Sequence, residues 1–437
     1  MSSSPGQAPR PEPRRSRRRR IADAVLWSAL IGAGGGAVLG ASIDGASALA
    51  GAVVGAAVAA ISDGAGRLLQ KPGQVPPLFG RILASALLMA IAGGAAGLVL
   101  GAGSGLVVAI GAGVLLGALG LRAPKLALGL AVGLAVGLAG IDLAPAVTAA
   151  LVTVVYRALS ALAYRGRPLT RIMAEEVPAA QLPFVVPFEA RTKYVGADYV
   201  QQLAELRGGT FVRNLPDVGI LASLDALAGP TFDPARVHPL IREFYEHTSR
   251  FKLSIVPEWR TWMKPVYELF KHFVAEPLGQ AAIPSNIEEA QRGMVSTIDT
   301  IDFDEGDDEI DIRGWIRTFA DSGKPIYVGI YTSFRHEGRG YVSVGFPIPS
   351  SNFTATLLPR NRGDDGFELT SRSELPFPGH YLSSVDSERD ALTVIKLLSF
   401  EERIEVYVTS DGELRTDHSF ALLGQRFLTL RYEMTRL

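Results

Sequence analysis

All six histidines, His238, His247, His272, His336, His380 and His418, fall beyond residue 230. An acid–base or metal centre built on imidazole therefore has to lie in the second half of the chain. Glu243 and His247 stand four apart on an expected helix, but two ligands do not make a metal site, and no HExxH pattern accompanies them. Asp417, His418 and Ser419 are consecutive, and His380 lies close to Ser383. Neighbours in sequence do not converge as a hydrolytic triad must, and there is no GxSxG elbow. The acidic stretch Asp302, Asp304, Glu305, Asp307, Asp308, Glu309 and Asp311 fails as a calcium loop. Gly306 comes one place early and Arg313 stands where the bidentate glutamate belongs, so the stretch reads as a solvated acidic linker. The chain has no cysteine and no GxxxxGK[ST] loop, which excludes thiolate chemistry, disulfides and Walker-type nucleotide binding. The expectation is no metal, no cofactor and a role that is not enzymatic. His238, His247, His380 and His418 are the residues a general-base reading would need.

Binding chemistry is better represented. Across 258–274, Trp259, Trp262, Met263, Val266, Tyr267, Phe270 and Phe273 recur at helical spacing, with Arg260, Lys264, Lys271 and His272 between them. Such a helix either covers a sheet or lies among lipid head groups, and Trp259, Trp262, Tyr267 and Phe270 are the residues expected to meet ligand or lipid. From about residue 309 the period becomes two. Strands are expected at 309–319, 325–334, 340–348, 352–359, 366–371, 379–385, 391–398, 403–409 and 426–435, separated by turns such as 362–366 and 410–412. Nine short strands with hairpin-length loops predict an antiparallel meander, curled into a barrel or a half-barrel closed by the preceding helices. Ile326, Val328 and Ile330 oppose Tyr327 and Tyr331 on one of these strands. A mixed inner face of this kind can hold an acidic head group beside an apolar chain. Arg317, Tyr327, Tyr331 and Arg431 are the candidates for that role, although a strand arginine more often faces solvent.

The net charge of −1 conceals a division: residues 1–20 carry +6, residues 21–167 carry +4 and the remainder −11. An acidic soluble part repels phosphate, so nucleic acid is not an expected partner. Residues 21–165 hold 26 of the 47 glycines and only eleven charged groups, which is membrane composition. Six apolar blocks, 21–43, 45–62, 82–101, 104–121, 126–141 and 145–164, read as spanning helices. Basic residues alternate between their loops: the arginine-rich tail, then Arg67, Lys71 and Arg81, then Arg122 and Lys125, then Arg157, Arg165, Arg167 and Arg171, with none in the intervening turns. That alternation predicts a multi-pass plasma-membrane protein with both termini in the cytoplasm. Asp23, Asp44, Asp63 and Asp142 fall at or near the interfaces, which disfavours a coupled transporter. Gly32, Gly36 and Gly40, then Gly51 and Gly55, recur every fourth residue. This resembles the glycine-zipper pattern of many bacterial membrane proteins and implies close helix packing or a homo-oligomer.

The expected organisation is an all-α membrane part joined to a soluble α+β part. It comprises a disordered polybasic tail (1–20), a six-helix transmembrane region (21–165), a linker (166–197), a helical subdomain (198–300) and an antiparallel β domain (301–437). The architecture resembles that of bacterial multi-pass proteins that carry a cytosolic domain. The function expected from these residues is binding of an apolar or amphipathic, lipid-like small molecule, or of the membrane surface, by the cytosolic domain, with membrane lipids as partners. The alternatives are an enzyme acting on a membrane lipid or isoprenoid-like substrate, and a glycine-zipper pore or transporter with a cytosolic regulatory domain.

Overall fold

The computed structural model describes residues 17–69, 77–119, 123–139, 143–164, 169–303, 310–386 and 389–437. The chain divides into two units, 1–167 and 168–437.

Each of the six apolar blocks is a helix: α1 (Arg17–Ala41), α2 (Ser47–Leu69), α3 (Leu78–Leu100), α4 (Gly105–Leu119), α5 (Ala123–Leu138) and α6 (Pro145–Ala163). α1, α2, α3 and α6 are long and apolar enough to cross a membrane, whereas α4 and α5 are shorter. At 1.5 Å per residue, the 15 and 16 residues of α4 and α5 span roughly 22–24 Å. α2 runs past the expected end at 62 because Asp63 and Arg67 pair at 2.7 Å one turn apart. Small residues set the packing. A Cβ built on Gly36 would overlap the Gly51 carbonyl, and one on Gly32 the Gly55 carbonyl, so α1 and α2 meet backbone to backbone. The face formed by Gly32, Gly36, Gly40, Gly51 and Gly55 thus joins two helices of one chain. A second such contact, between Gly113 of α4 and Gly129 of α5, has the same form. Most of the basic tail, Lys71, Arg122, Asp142, Arg165 and Arg167 lie outside the described residues.

The second unit is built on an antiparallel sheet. Its strands are β1 (Thr170–Pro178), β2 (Thr210–Val212), β3 (Phe251–Trp259), β4 (Met294–Asp302), β5 (Ile312–Phe319), β6 (Pro325–His336), β7 (Arg339–Ile348), β8 (Ser351–Arg362), β9 (Gly366–Thr370), β10 (Gly379–Asp386), β11 (Ala391–Leu397), β12 (Phe400–Val408), β13 (Leu414–Leu422) and β14 (Gln425–Arg436). The main path is β2-β4-β5-β6-β7-β8-β9-β12-β13-β14-β3. β8 changes partner along its length, pairing first with β10 and then with β9, so that β10, β11 and β1 form a branch. β3 and β4, near the two ends of the path, touch without sharing a ladder. The sheet therefore curls around one core, into which Ile298, Trp315, Leu357, Leu369, Val406 and Leu430 project from six strands. The helix α8 (Pro239–Glu246) follows α7 (Tyr199–Arg207) in the chain and adds Ile241, Phe244 and Tyr245 to that core. α7 covers the opposite face, setting Val200 and Leu203 against Ile316, Val328 and Ile330.

Two expected boundaries differ from the structure. The segment 198–300, read as a helical subdomain, contributes β3 and β4 to the same sheet. The segment 166–197, read as a linker, contains β1, which pairs with β11. Phe184 and Val186, in that same segment, are buried. β13 is a strand where none was expected, and the helix expected at 258–274 begins only at Lys264, as α9 (Lys264–Phe270), because Glu258 and Trp259 belong to β3.

Candidate functional site

Arg317 lies in the middle of β5 between Ile316 and Thr318, with Trp315 and Phe319 on its own side of the strand. That side faces the interior, and Arg317 is 3% exposed. Its guanidinium carbon stands 3.6 Å from the Trp315 ring centre, 4.6 Å from that of Tyr327 and 5.1 Å from that of Tyr432. Nη1 donates to the Tyr432 hydroxyl at 3.1 Å, while the buried Nε has no partner. Among the described residues no carboxylate comes within ion-pair distance of it. Arginine stays protonated even when buried, so this is a positive charge held by ring faces and one phenol. Burial pushes the phenols of Tyr327 and Tyr331 upward, so both remain neutral.

A second polar centre lies on the same cavity wall. Glu402 Oε1 accepts from His418 Nε2 at 2.6 Å, and Oε2 from His380 Nε2 at 2.9 Å. Burial alone would raise the Glu402 carboxyl, but the hydrogen bonds from His380 and His418 more than reverse this and hold it at about 2. A carboxylate only accepts, so both Nε2 atoms carry hydrogen. His380 Nδ1 is buried without a partner, its ring stacked on Phe353 and edge-on to Phe400. No group of three or more His, Asp or Glu side chains among the described residues has the geometry to hold a metal ion.

Arg317, Tyr327, Tyr331, Tyr432, Glu402 and His418 all line one interior cavity of about 60 Å³, closed on one side by Phe244 and Tyr245 of α8. One water molecule needs roughly 10–15 Å³ of this kind of volume, so the cavity holds a few waters or one small polar group and no acyl chain. Glu402 also borders an open groove of about 990 Å³ of mixed charge, which carries Glu368, Glu374, Glu401 and Arg403 as well as Arg339, Arg360, Arg372 and Arg426. Arg339, Arg360, Arg372 and Arg426 make no ion pair among the described residues, whereas Arg403 pairs with Glu368 and Glu405.

The structure thus brings together Arg317, Tyr327, Tyr331, His380 and His418 from the residues singled out in the sequence. Others lie elsewhere. His238 Nδ1 accepts from the Leu240 amide and caps α8. His247 pairs with Asp217 at 2.9 Å on the surface, and Glu243 engages Arg250 and Arg436. Trp259 stacks on Tyr267 at 4.0 Å and donates to the Pro284 carbonyl. Trp262 and Phe270 are exposed, and Arg431 lies on the outer surface, 3.3 Å from Glu258. Of the acidic stretch, 304–309 lies outside the described residues. Trp315 and Tyr432 belong to this candidate site without having been singled out for it, and so does Glu402. The signal for Glu402 was present, since Glu402, Ile404 and Val406 alternate onto one face once the strand is begun at Phe400 rather than at 403.

No family model matches the chain, and no solved structure matches it. The chain is 26% identical over 246 residues to the uncharacterized membrane protein YndJ of Bacillus subtilis (strain 168), an alignment covering 56% of this chain and 42% of that protein. The chain thus spans less than half the length of that relative. The likeness and the apolar helices together identify a membrane protein with N-terminal apolar helices and a C-terminal antiparallel sheet domain.

Proposed function

We propose that the soluble domain is a receptor for a small acidic molecule, or for the acidic head of an amphipathic one, and that it works at the cytoplasmic face of the plasma membrane without altering its ligand. The observation that carries this reading is the buried Arg317 guanidinium, which has aromatic walls and a phenol around it and no carboxylate partner. A charge without a direct counter-ion in the interior costs several kcal/mol; an anion that pairs with Arg317 offsets part of that cost, with the Glu402 carboxylate on the same cavity working against it. The volume of the cavity limits the bound group to something of carboxylate size, so the apolar portion of an amphiphile stays outside it. The neighbouring groove carries four arginines without an ion pair against Glu374 and Glu401, a balance that still leans toward an anion.

Thermal unfolding of the full-length protein in detergent, with acetate, inorganic phosphate and oleate as probes, tests this reading. At least one probe raises the midpoint of the wild type and leaves Arg317→Met unmoved; a wild type indifferent to all three defeats the reading. The convergence of His380 and His418 on Glu402 favours a second reading, an enzyme whose imidazoles move protons on an acid held by Arg317. Under that reading the probe is consumed, and loss of His418 abolishes turnover while leaving binding intact.

A further inference from the structure

We propose that the outer face of α9 and its continuation docks onto the lipid bilayer. α9 runs on through a wider turn, Lys271–Ala275, into α10 (Glu276–Leu278). Trp262, Val266, Leu269, Phe270, Phe273 and Val274 are between 42% and 69% exposed. Their spacing of four, three, one, three and one residues places Val266 to Val274 on one side of the helix, with Trp262 in the turn just before it. The other side is firmly seated: Tyr267, Lys271 and Ala275 are buried. Tyr267 donates to the Ile283 carbonyl at 2.7 Å, and Lys271 pairs with Glu289. The exposure is therefore a property of a fixed element, and a stripe of six large apolar side chains on such an element marks an interaction surface.

The attachment of the domain indicates the occupant. The last apolar helix ends at Ala163 and β1 begins at Thr170. Seven residue steps of chain reach at most roughly 25 Å, so the start of the domain stays close to a bilayer surface. The chemistry around the stripe suits that surface. Trp262 sits between the exposed Arg260 and Lys264, an aromatic with cations beside it as the head-group layer prefers. The exposed Lys264, Glu268, His272 and Glu276, at four-residue intervals, form a polar flank between the stripe and the buried face, where they can stay at the water side of the head groups.

The chain contains no cysteine, so single cysteines report cleanly. Full-length Phe273→Cys and Leu269→Cys, each carrying an environment-sensitive fluorophore, are reconstituted in vesicles of phosphatidylcholine and phosphatidylglycerol, with Asp411→Cys in the β12–β13 turn as the control. Lipids brominated on their acyl chains are expected to quench the two helix labels roughly threefold more than the control, as insertion of the stripe below the head groups requires. Adding Val266→Glu should return either helix label to the control level without lowering the midpoint of unfolding. Equal quenching at all three positions overturns the proposal. So does helix-label fluorescence that depends on protein density while bromolipid has no effect, because that outcome assigns the face to a second copy of the chain.

Discussion

Arg317 on β5 and Tyr432 on β14 are 115 residues apart and meet at 3.1 Å inside the curled sheet, the guanidinium donating to the phenol. A phenol is a weak counterpart for a full positive charge. The rest of the support comes from the faces of Trp315, Tyr327 and Tyr432, which contribute up to about 2 kcal/mol each when desolvated. This arrangement tolerates the charge without neutralising it. A folded core that had no use for a cation here would be better served by an apolar side chain of the same length.

Replacing Arg317 by methionine tests that statement directly. Apolar replacement of buried ionic groups is commonly neutral or stabilising by about 1–4 kcal/mol. Arg317→Met is therefore expected to unfold at an equal or higher temperature than the wild type. Its affinity for an acidic ligand should fall by about 2 kcal/mol or more, roughly thirtyfold. A variant that melts several degrees lower assigns Arg317 to holding the fold and removes the basis for a ligand site.

Glu402 behaves in the opposite way, because its partners are present in the chain. Its carboxyl is held at about 2, below the ordinary 4.5. The stability it contributes is therefore complete above 4.5 and is lost as pH falls toward 2. The difference corresponds to about 3 kcal/mol, to order of magnitude. Urea unfolding of the wild type and Glu402→Gln should show the largest gap near pH 6, narrowing steadily below pH 4.5. A gap independent of pH would mean that the loss comes from packing and not from the carboxylate.

The contrast between these two residues shows what a sequence reader can and cannot extract. The six helices and most strands beyond 309 were legible because burial imposes a period on apolar residues, and the turns between them carry glycine and aspartate. The direction of Arg317 was not legible: in Trp315-Ile316-Arg317-Thr318-Phe319 both faces of the strand carry apolar groups, since α7 covers one and the interior the other. β3 has a clean alternation, with Phe251, Leu253, Ile255 and Pro257 buried. The aromatic helix that follows, together with Pro257, masked it; a proline is tolerated here because β3 is the last strand of the path and pairs only with β14. β4 carries Ser, Thr and Asp on inward positions, and Asp299 is buried because it accepts from the Asn214 amide, a contact 85 residues away in sequence.

The glycine contacts in the membrane part separate packing from propensity. Gly111 and Gly113 both lie in α4, yet a Cβ on Gly111 meets nothing, whereas one on Gly113 overlaps the Gly129 carbonyl of α5. Gly113→Val is expected to lower the midpoint of unfolding in detergent, with a cost of about 1–3 kcal/mol or more. Gly111→Val, with the same change in helix propensity, should leave it unaltered. Equal effects at both positions would show that α4 and α5 do not pack through this contact in the folded protein.

The number of crossings follows from the same pair of helices. α4 and α5 fall short of a hydrocarbon core of roughly 30 Å, and short spans are accommodated by local thinning at modest cost. Only residues 120–122 separate them in the chain, so both are expected to cross or neither, giving six spans or four. Both counts would leave the segments before α1 and after α6 on one side of the membrane; only the connection between α4 and α5 would change sides. Arg122 and Lys125, in and just after that connection, favour the cytoplasm, so six spans are the expectation. In intact cells a membrane-impermeant maleimide is expected to label Ala46→Cys, which lies between α1 and α2. It should reach Arg122→Cys and Asp411→Cys only after permeabilisation. Labelling of Arg122→Cys from outside, with Asp411→Cys still protected, would reduce the count to four. Labelling of Asp411→Cys from outside would place the Arg317 cavity on the far face of the membrane and end the proposal of a cytoplasmic receptor.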